Sequence, residues 1–245
     1  MSIQQDMYDF GDVVPLERVR NAHLCVLGCG AVGCNVVLAA LLTGWRRFTL
    51  VDFDVVESHN CPRSAGIFHP RRDIGKSKTR LLAQYIRGWD SFCEAAPLEI
   101  DVRDLGEEFF CSFDAVVCAL DNAESVWHVG ELMSETGVPL YRAATNAWNN
   151  SVEIIENRKG GACLCCGKDP VESQDLRINS CGLRYMSDVK KGRIPALQIS
   201  SALCANRLTA EMTRRFAEPE AARGDLRYYD TGRALLELHI KRDPN

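Results

Sequence analysis

A glycine turn set between an apolar run and a helical pattern constrains this chain more than any other feature. Gly28-Cys-Gly30-Ala-Val-Gly33 follows a buried-strand pattern, His23-Leu-Cys-Val-Leu-Gly-Cys29, and opens an apolar helical stretch, Ala31 to Thr43, that Gly44 closes. In that setting a GxGxxG lets the backbone turn tightly and approach a ligand closely, while the first N–H groups of the helix face a phosphate chain. Gly28, Gly30 and Gly33 are therefore candidate nucleotide contacts, against the plainer reading of a glycine turn without a ligand. Asp52 ends the next strand pattern, Arg47-Phe-Thr-Leu-Val-Asp52, where an acidic side chain accepts hydrogen bonds from ribose hydroxyls.

The rhythm then repeats. Lys76 to Arg87 reads as a helix, Pro97 to Val102 and Phe113 to Leu120 as strands, Glu124 to Thr136 as a helix and Pro139 to Ala144 as a strand. Such alternation predicts an α/β, Rossmann-like fold: a mostly parallel sheet with helices on both faces. Past Asn150 the pattern changes to a polar–apolar alternation over Ser151 to Asn157, a cysteine cluster, a polar loop at about 167–194, a helix from about Ala196 to Phe216 and two strands, Leu226 to Tyr229 and Leu235 to Lys241. This predicts an antiparallel C-terminal extension. We read residues 1–245 as one domain, with a nucleotide-binding half at 1–150 and a partner-binding half at 151–245.

Composition narrows the function classes. The formal charge is −4, from 29 basic and 33 acidic residues, and the basic residues are dispersed, which disfavours nucleic acid as the main ligand. The longest apolar stretch, near Val36 to Leu42, is far short of the roughly 20 residues of a membrane span, and no signal-peptide pattern opens the chain. The expectation is a soluble cytoplasmic protein. Most of the twelve cysteines fall inside apolar strand or helix patterns, as buried thiols of a reducing compartment do.

The glycine turn alone does not choose between ATP and a nicotinamide or flavin dinucleotide. The segment Val51-Asp-Phe-Asp-Val-Val-Glu-Ser-His-Asn60-Cys-Pro-Arg63, followed by Asp73-Ile-Gly-Lys-Ser-Lys78, resembles the ThiF, MoeB and ubiquitin-activating family over nearly the whole chain. The resembling pattern is an aspartate pair (Asp52, Asp54), then Asn-x-x-Arg (Asn60, Arg63), then Gly-x-x-Lys opening a helix (Gly75, Lys78). The resemblance implies that Arg63 and Lys78 contact ATP phosphates with Asn60 orienting them, and that Asp121, in Asp121-Asn122, binds Mg²⁺. The chemistry agrees with those residue types: a carboxylate attacking the α-phosphorus brings two anions together, and cations neutralise the transition state and the leaving pyrophosphate. Solvated surface charge is the bland reading of Arg63 or Lys78, and capping of the helix near Glu124 that of Asp121.

The family's N-terminal Arg-Tyr-x-Arg-Gln is replaced here by Met7-Tyr-Asp-Phe-Gly11, with Arg18 or Arg20 as possible substitutes for an arginine supplied across a dimer, and the arginine many relatives carry after Asp-Asn is absent. Cys163 and Cys166 form a Cys-x-x-Cys, half of a four-ligand zinc site. The second pair that relatives carry near the C-terminus is missing, so either the chain is truncated or Zn²⁺ is lost. By resemblance, Cys181 takes the place of the cysteine that accepts the acyl group as a thioester, with Lys190, Lys191 and Arg193 near in sequence. The implied activity is ATP-dependent adenylation of the C-terminal glycine carboxylate of a small ubiquitin-like or sulfur-carrier protein, by a homodimer. The rivals are an NAD(P)-dependent Rossmann oxidoreductase, a non-catalytic scaffold for a ubiquitin-like protein, and adenylation of a peptide or a modified tRNA base.

Overall fold

The computed structural model describes residues 15–146, 149–164, 166, 196–221, 224–230 and 235–239. After a short helix, α1 (Glu17–Asn21), the chain alternates β1 (His23–Leu27), α2 (Ala31–Thr43), β2 (Arg47–Val51), a 3₁₀ helix (Ser58–Arg63), α3 (Lys78–Trp89) and β3 (Glu94–Leu98). A 3₁₀ turn (Val102–Asp104) and α4 (Glu107–Phe110) lead to β4 (Ala115–Cys118), α5 (Ala123–Met133), β5 (Leu140–Asn146) and β6 (Asn149–Ile155). Then come α6 (Gln198–Ala217), a 3₁₀ turn (Pro219–Ala221), β7 (Leu226–Asp230) and β8 (Leu235–His239).

All eight strands join one sheet in the order β3-β2-β1-β4-β5-β6-β7-β8. The pairings from β3 to β5 are parallel, and β5-β6-β7-β8 are antiparallel, in line with the expected antiparallel C-terminal extension. β1 and β4 sit at the centre and are apolar on both faces, because helices cover both. Alternate residues of β1 point into two separate cores. Leu24 and Val26 pack with α2, α3 and α6, while Cys25 and Leu27 pack with Phe110, Val126, Val129 and Met133 from α4 and α5. Helix α6 lies over α2, β5 and β6, and Thr213 Oγ1 accepts from the fully buried Trp45 Nε1 at 3.1 Å.

One strand differs from expectation. Pro97 to Val102 reads as a strand in sequence, yet β3 is Glu94–Leu98 and Val102–Asp104 is a 3₁₀ turn. Pro97 looks like a strand start because it lacks an N–H, but β3 is an edge strand paired only with β2, where a missing donor is tolerated. Among the described residues no helix is long and apolar enough to cross a membrane.

Candidate functional site

Connections from β1 run to β2 and β3 on one side of the sheet, and β4 and β5 lie on the other, so the strand order reverses between β1 and β4. Open α/β sheets leave a crevice there, beyond the carboxyl ends of the strands. A cleft of about 290 Å³ occupies that place, lined by Gly28, Gly30, Asp52, Asp54, Asn60, Arg63, Lys78 and Asp121 among others.

The three glycines have different tasks. Gly28 adopts φ +88°, and a Cβ on it would lie 2.8 Å from Ala119 O, since the turn folds tightly against the end of β4. A Cβ on Gly33 would lie 1.9 Å from Gly28 O, so α2 can start this close to the turn only with glycine there. Around Gly30, by contrast, nothing lies within 4 Å of an added Cβ, and the open space is the cleft. Gly30 is the N-cap of α2 and supplies no side-chain cap, leaving the first N–H groups of a 13-residue helix to an anion.

Asp52 fastens this turn to β2. Its Oδ2 accepts from Cys29 N at 2.7 Å and its Oδ1 from Asp54 N at 2.8 Å, and each oxygen keeps a second lone pair on which a ribose hydroxyl can donate. Burial pushes the Asp52 carboxyl up from its ordinary value; Lys78 and the two N–H donors pull the other way and hold the charged form. Lys78 is the first residue of α3, 7% exposed, with Nζ 2.7 Å from Asp54 Oδ2 and 3.9 Å from Asp52 Oδ2. Burial alone would depress its ammonium, but Asp52 and Asp54 outweigh it and the net shift is upward, so Lys78 is a fixed cation. The thiols buried in the core behind the turn are inert by the same physics: desolvation raises Cys29 and Cys34 well above the ordinary range.

Arg63 ends the 3₁₀ helix, and Asn60 holds that turn by accepting from Glu57 N on Oδ1 at 2.8 Å. A second tie comes from far away in sequence. Asn35 of α2 donates from Nδ2 to Arg63 O and Gln198 Oε1, both at 3.3 Å, and accepts from Gln198 Nε2 at 2.8 Å, while Gln198 Oε1 also accepts from Ala65 N at 3.3 Å. The start of α6 is thereby clasped to both α2 and the Arg63 loop. Across the cleft, Asp121 is exposed beyond β4 and does not cap α5. The cap is Asn122, whose Oδ1 accepts from Glu124 N at 2.9 Å and Ser125 N at 3.4 Å. Asp121 is thus left to face the cleft, where a carboxylate suits a hard divalent cation.

Sequence reasoning singled out none of Glu57, His59, Asp101, Arg103 and Thr145, which also line the cleft. His59 and Glu57 stand inside the quoted segment, so their spacing was a usable signal. Asp101 falls inside the strand expected at Pro97 to Val102 and Arg103 just past it, where neither gave a signal.

Cys163 and Cys166 converge, with their sulfurs 3.3 Å apart and Cys166 Sγ accepting from Cys163 N at 3.3 Å. Among the described residues no group of three or more His, Cys, Asp or Glu is placed to hold a metal. Cys181, Cys165, Lys190, Lys191, Arg193 and the loop at 167–194 lie outside the described residues, as does Met7–Gly11.

Known proteins share this architecture. The profile of the ThiF family matches residues 3–237. SUMO-activating enzyme subunit 2 of Dictyostelium discoideum is 27% identical over 161 residues, covering 64% of this chain and 24% of that protein. The adenylyltransferase and sulfurtransferase MOCS3 of Xenopus laevis is 25% identical over 187 residues, covering 76% of this chain and 41% of that protein. The chain thus spans well under half the length of these curated relatives. The crystal structure of E. coli MccB with ATP superposes with a TM-score of 0.73 at 17% identity, over 95% of this chain and 67% of that one. PaaA matches with a TM-score of 0.73 at 15% identity, over 97% and 70%. At such identities the superpositions speak to the fold alone.

Proposed function

The chain belongs to the ThiF family, and from that premise we propose that it binds ATP with Mg²⁺ in the cleft and adenylates the C-terminal carboxylate of a small ubiquitin-like or sulfur-carrier protein ending in glycine. The observation that carries this reading is the convergence of Lys78, Arg63, Asp121 and the open side of Gly30 on one cleft at the sheet's switch point. Lys78, already held as an ammonium, offers charge to the α-phosphate as the pentacoordinate transition state forms, and Arg63 offers a planar fork to the phosphates that leave. The first turn of α2 donates backbone N–H groups to the same chain of phosphates. Asp121 fits the metal, being an exposed carboxylate on the cleft wall; Mg²⁺, when bound there, spreads the negative charge of the phosphates.

The acyl group of the adenylate then passes to the Cys181 thiolate, sulfur forming the thioester bond as AMP leaves. In this reading residues 151–245 carry the partner, the working assembly is a cytoplasmic homodimer, and Cys163 and Cys166 are a zinc half-site awaiting two more ligands. A nicotinamide oxidoreductase would give Lys78, Arg63 and Asp121 no common task. The deciding experiment is ATP–pyrophosphate exchange with candidate small proteins that end in glycine, run beside calorimetry with ATP and with NAD. Exchange that needs the partner's free carboxylate supports adenylation; binding of NAD and not ATP overturns it.

A further inference from the structure

Glu57, His59 and Asn60 close a hydrogen-bonded ring on the cleft wall. Because Glu57 N donates to Asn60 Oδ1, the orientation of that amide is fixed, and Asn60 Nδ2 is the donor in its 3.2 Å contact with His59 Nε2. A ring nitrogen that accepts carries no hydrogen, so neutral His59 is protonated on Nδ1, which faces Glu57 Oε2 at 3.2 Å. The His59 side chain is 33% exposed, on the same 3₁₀ turn as Arg63.

The charges around it give the ring a purpose. On its own turn stand Glu57 and Arg63; Asp52 and Asp54 come from the loop after β2, Lys78 from α3, Asp101 and Arg103 from the loop after β3, and Asp121 from the end of β4. Among the described lining residues, carboxylates therefore outnumber cations five to three. Lys78 and Arg103 are moreover engaged with Asp54 and Asp101. A polyphosphate entering this wall meets an excess of negative charge. Protonation of His59 at Nε2 would end the contact with the Asn60 amide, turn one more N–H of each toward the phosphates and add a cation beside Arg63.

We propose that His59 is a phosphate-binding residue of this cleft, its imidazolium contacting the nucleotide while Glu57 holds the ring. The inference rests on the ATP reading of the site. Bound phosphate raises the affinity of His59 for a proton, and by linkage the proton raises the affinity for ATP by the same factor.

Calorimetry of ATP binding to the full chain, at pH 6 and pH 8 and in two buffers of different ionisation enthalpy, tests it against His59→Gln, which keeps an acceptor toward Asn60 but does not ionise. His59→Asn repeats the comparison with a shorter neutral group. If phosphate lifts the histidine by about one unit from the ordinary histidine value near 6.5, wild type takes up about half a proton per ATP near pH 7 beyond either variant, and its affinity gains about sixfold more between pH 8 and pH 6. Titration of ATP itself is common to all three proteins and cancels. Equal proton uptake and parallel affinities in the three, with ATP bound, overturn the role of His59 alone; no ATP binding by wild type at either pH overturns the ATP site and this inference with it.

Discussion

Replacing Gly30 and Gly33 separately by alanine divides what the ligand needs from what the fold needs. At Gly30 the backbone has φ −83° and ψ −151°, extended geometry open to an L-residue, and the new Cβ meets no protein atom within 4 Å. Folded stability should therefore hold or rise by about 0.4–1 kcal/mol, through loss of unfolded-state freedom. For a domain of this size that is a Tm change of roughly 1–4 °C upward. The same methyl stands in the cleft where phosphate would approach the backbone, and a displacement that costs only about 1.4 kcal/mol weakens ATP binding tenfold. At Gly33 the order inverts, because the Cβ would sit 1.9 Å from Gly28 O, a backbone atom that can yield only if α2 shifts. Overpacking of that kind costs about 1–3 kcal/mol or more, lowering Tm by several degrees. Differential scanning fluorimetry and ATP calorimetry on the two variants read both quantities. Gly30→Ala that melts like wild type and binds ATP equally well refutes the placement of phosphate on this turn; Gly33→Ala that melts like wild type refutes the close approach of α2.

Lys78→Ala should lower pyrophosphate exchange by roughly 100-fold, as loss of one charge-stabilising group typically does, and exchange at the wild-type rate would remove Lys78 from the chemistry. It should also destabilise, since Asp52 loses its ammonium. Burial has already raised the Asp52 carboxyl, so the deficit is greatest at neutral pH and shrinks as pH falls and the carboxyl protonates; a deficit that grows with acidity in melts from pH 8 to pH 5 would contradict this. Asp121→Asn should melt like wild type but lose Mg²⁺-dependent ATP binding, whereas Asn122→Ala should keep that binding and lose about 1 kcal/mol of stability with the cap; the reverse pattern in fluorimetry and calorimetry would exchange their roles. Cys181→Ser should leave pyrophosphate exchange intact and abolish a partner adduct cleaved by thiol on a denaturing gel, and an adduct that survives the substitution assigns the thioester to another cysteine.

What the sequence made legible was local. A strand, a glycine turn and a helix announce themselves because each needs only its own neighbours, and Ala31–Thr43 with its closing Gly44 falls where periodicity and glycine place it. The antiparallel C-terminal extension was likewise legible, in the polar–apolar alternation over Ser151 to Asn157 and the two strand patterns after it. Tertiary context decided the rest. Pro97 suits β3 only because that strand lies at an edge. The choice of Asn122 over Asp121 as cap turns on which of two adjacent residues faces back along α5. Asp52 suggested a ribose ligand by position, but its grip on Cys29 N needs β1 and β2 side by side. The contacts among Glu57, His59 and Asn60 span only four residues, yet they form only once the chain winds into the 3₁₀ turn at Ser58–Arg63.

The amide clasp between Asn35 and Gln198 joins positions 163 residues apart, and its consequence lies in how the chain comes into being. A nascent polypeptide emerging through residue 150 already holds the glycine turn and all five strands of the parallel part of the sheet, yet α2 still lacks α6, the helix that packs over it. Until Gln198 and Thr213 arrive, the Asn35 amide oxygen lacks the Gln198 donor, the Trp45 indole lacks its acceptor, and the flank of α2 that α6 covers faces water. Closing so long a loop is slow, because its entropy is lost before the contacts that reward it form. Synthesis therefore leaves an interval in which the glycine turn and α2 exist without α6, and chaperones that shelter exposed apolar helices have their opening in that interval.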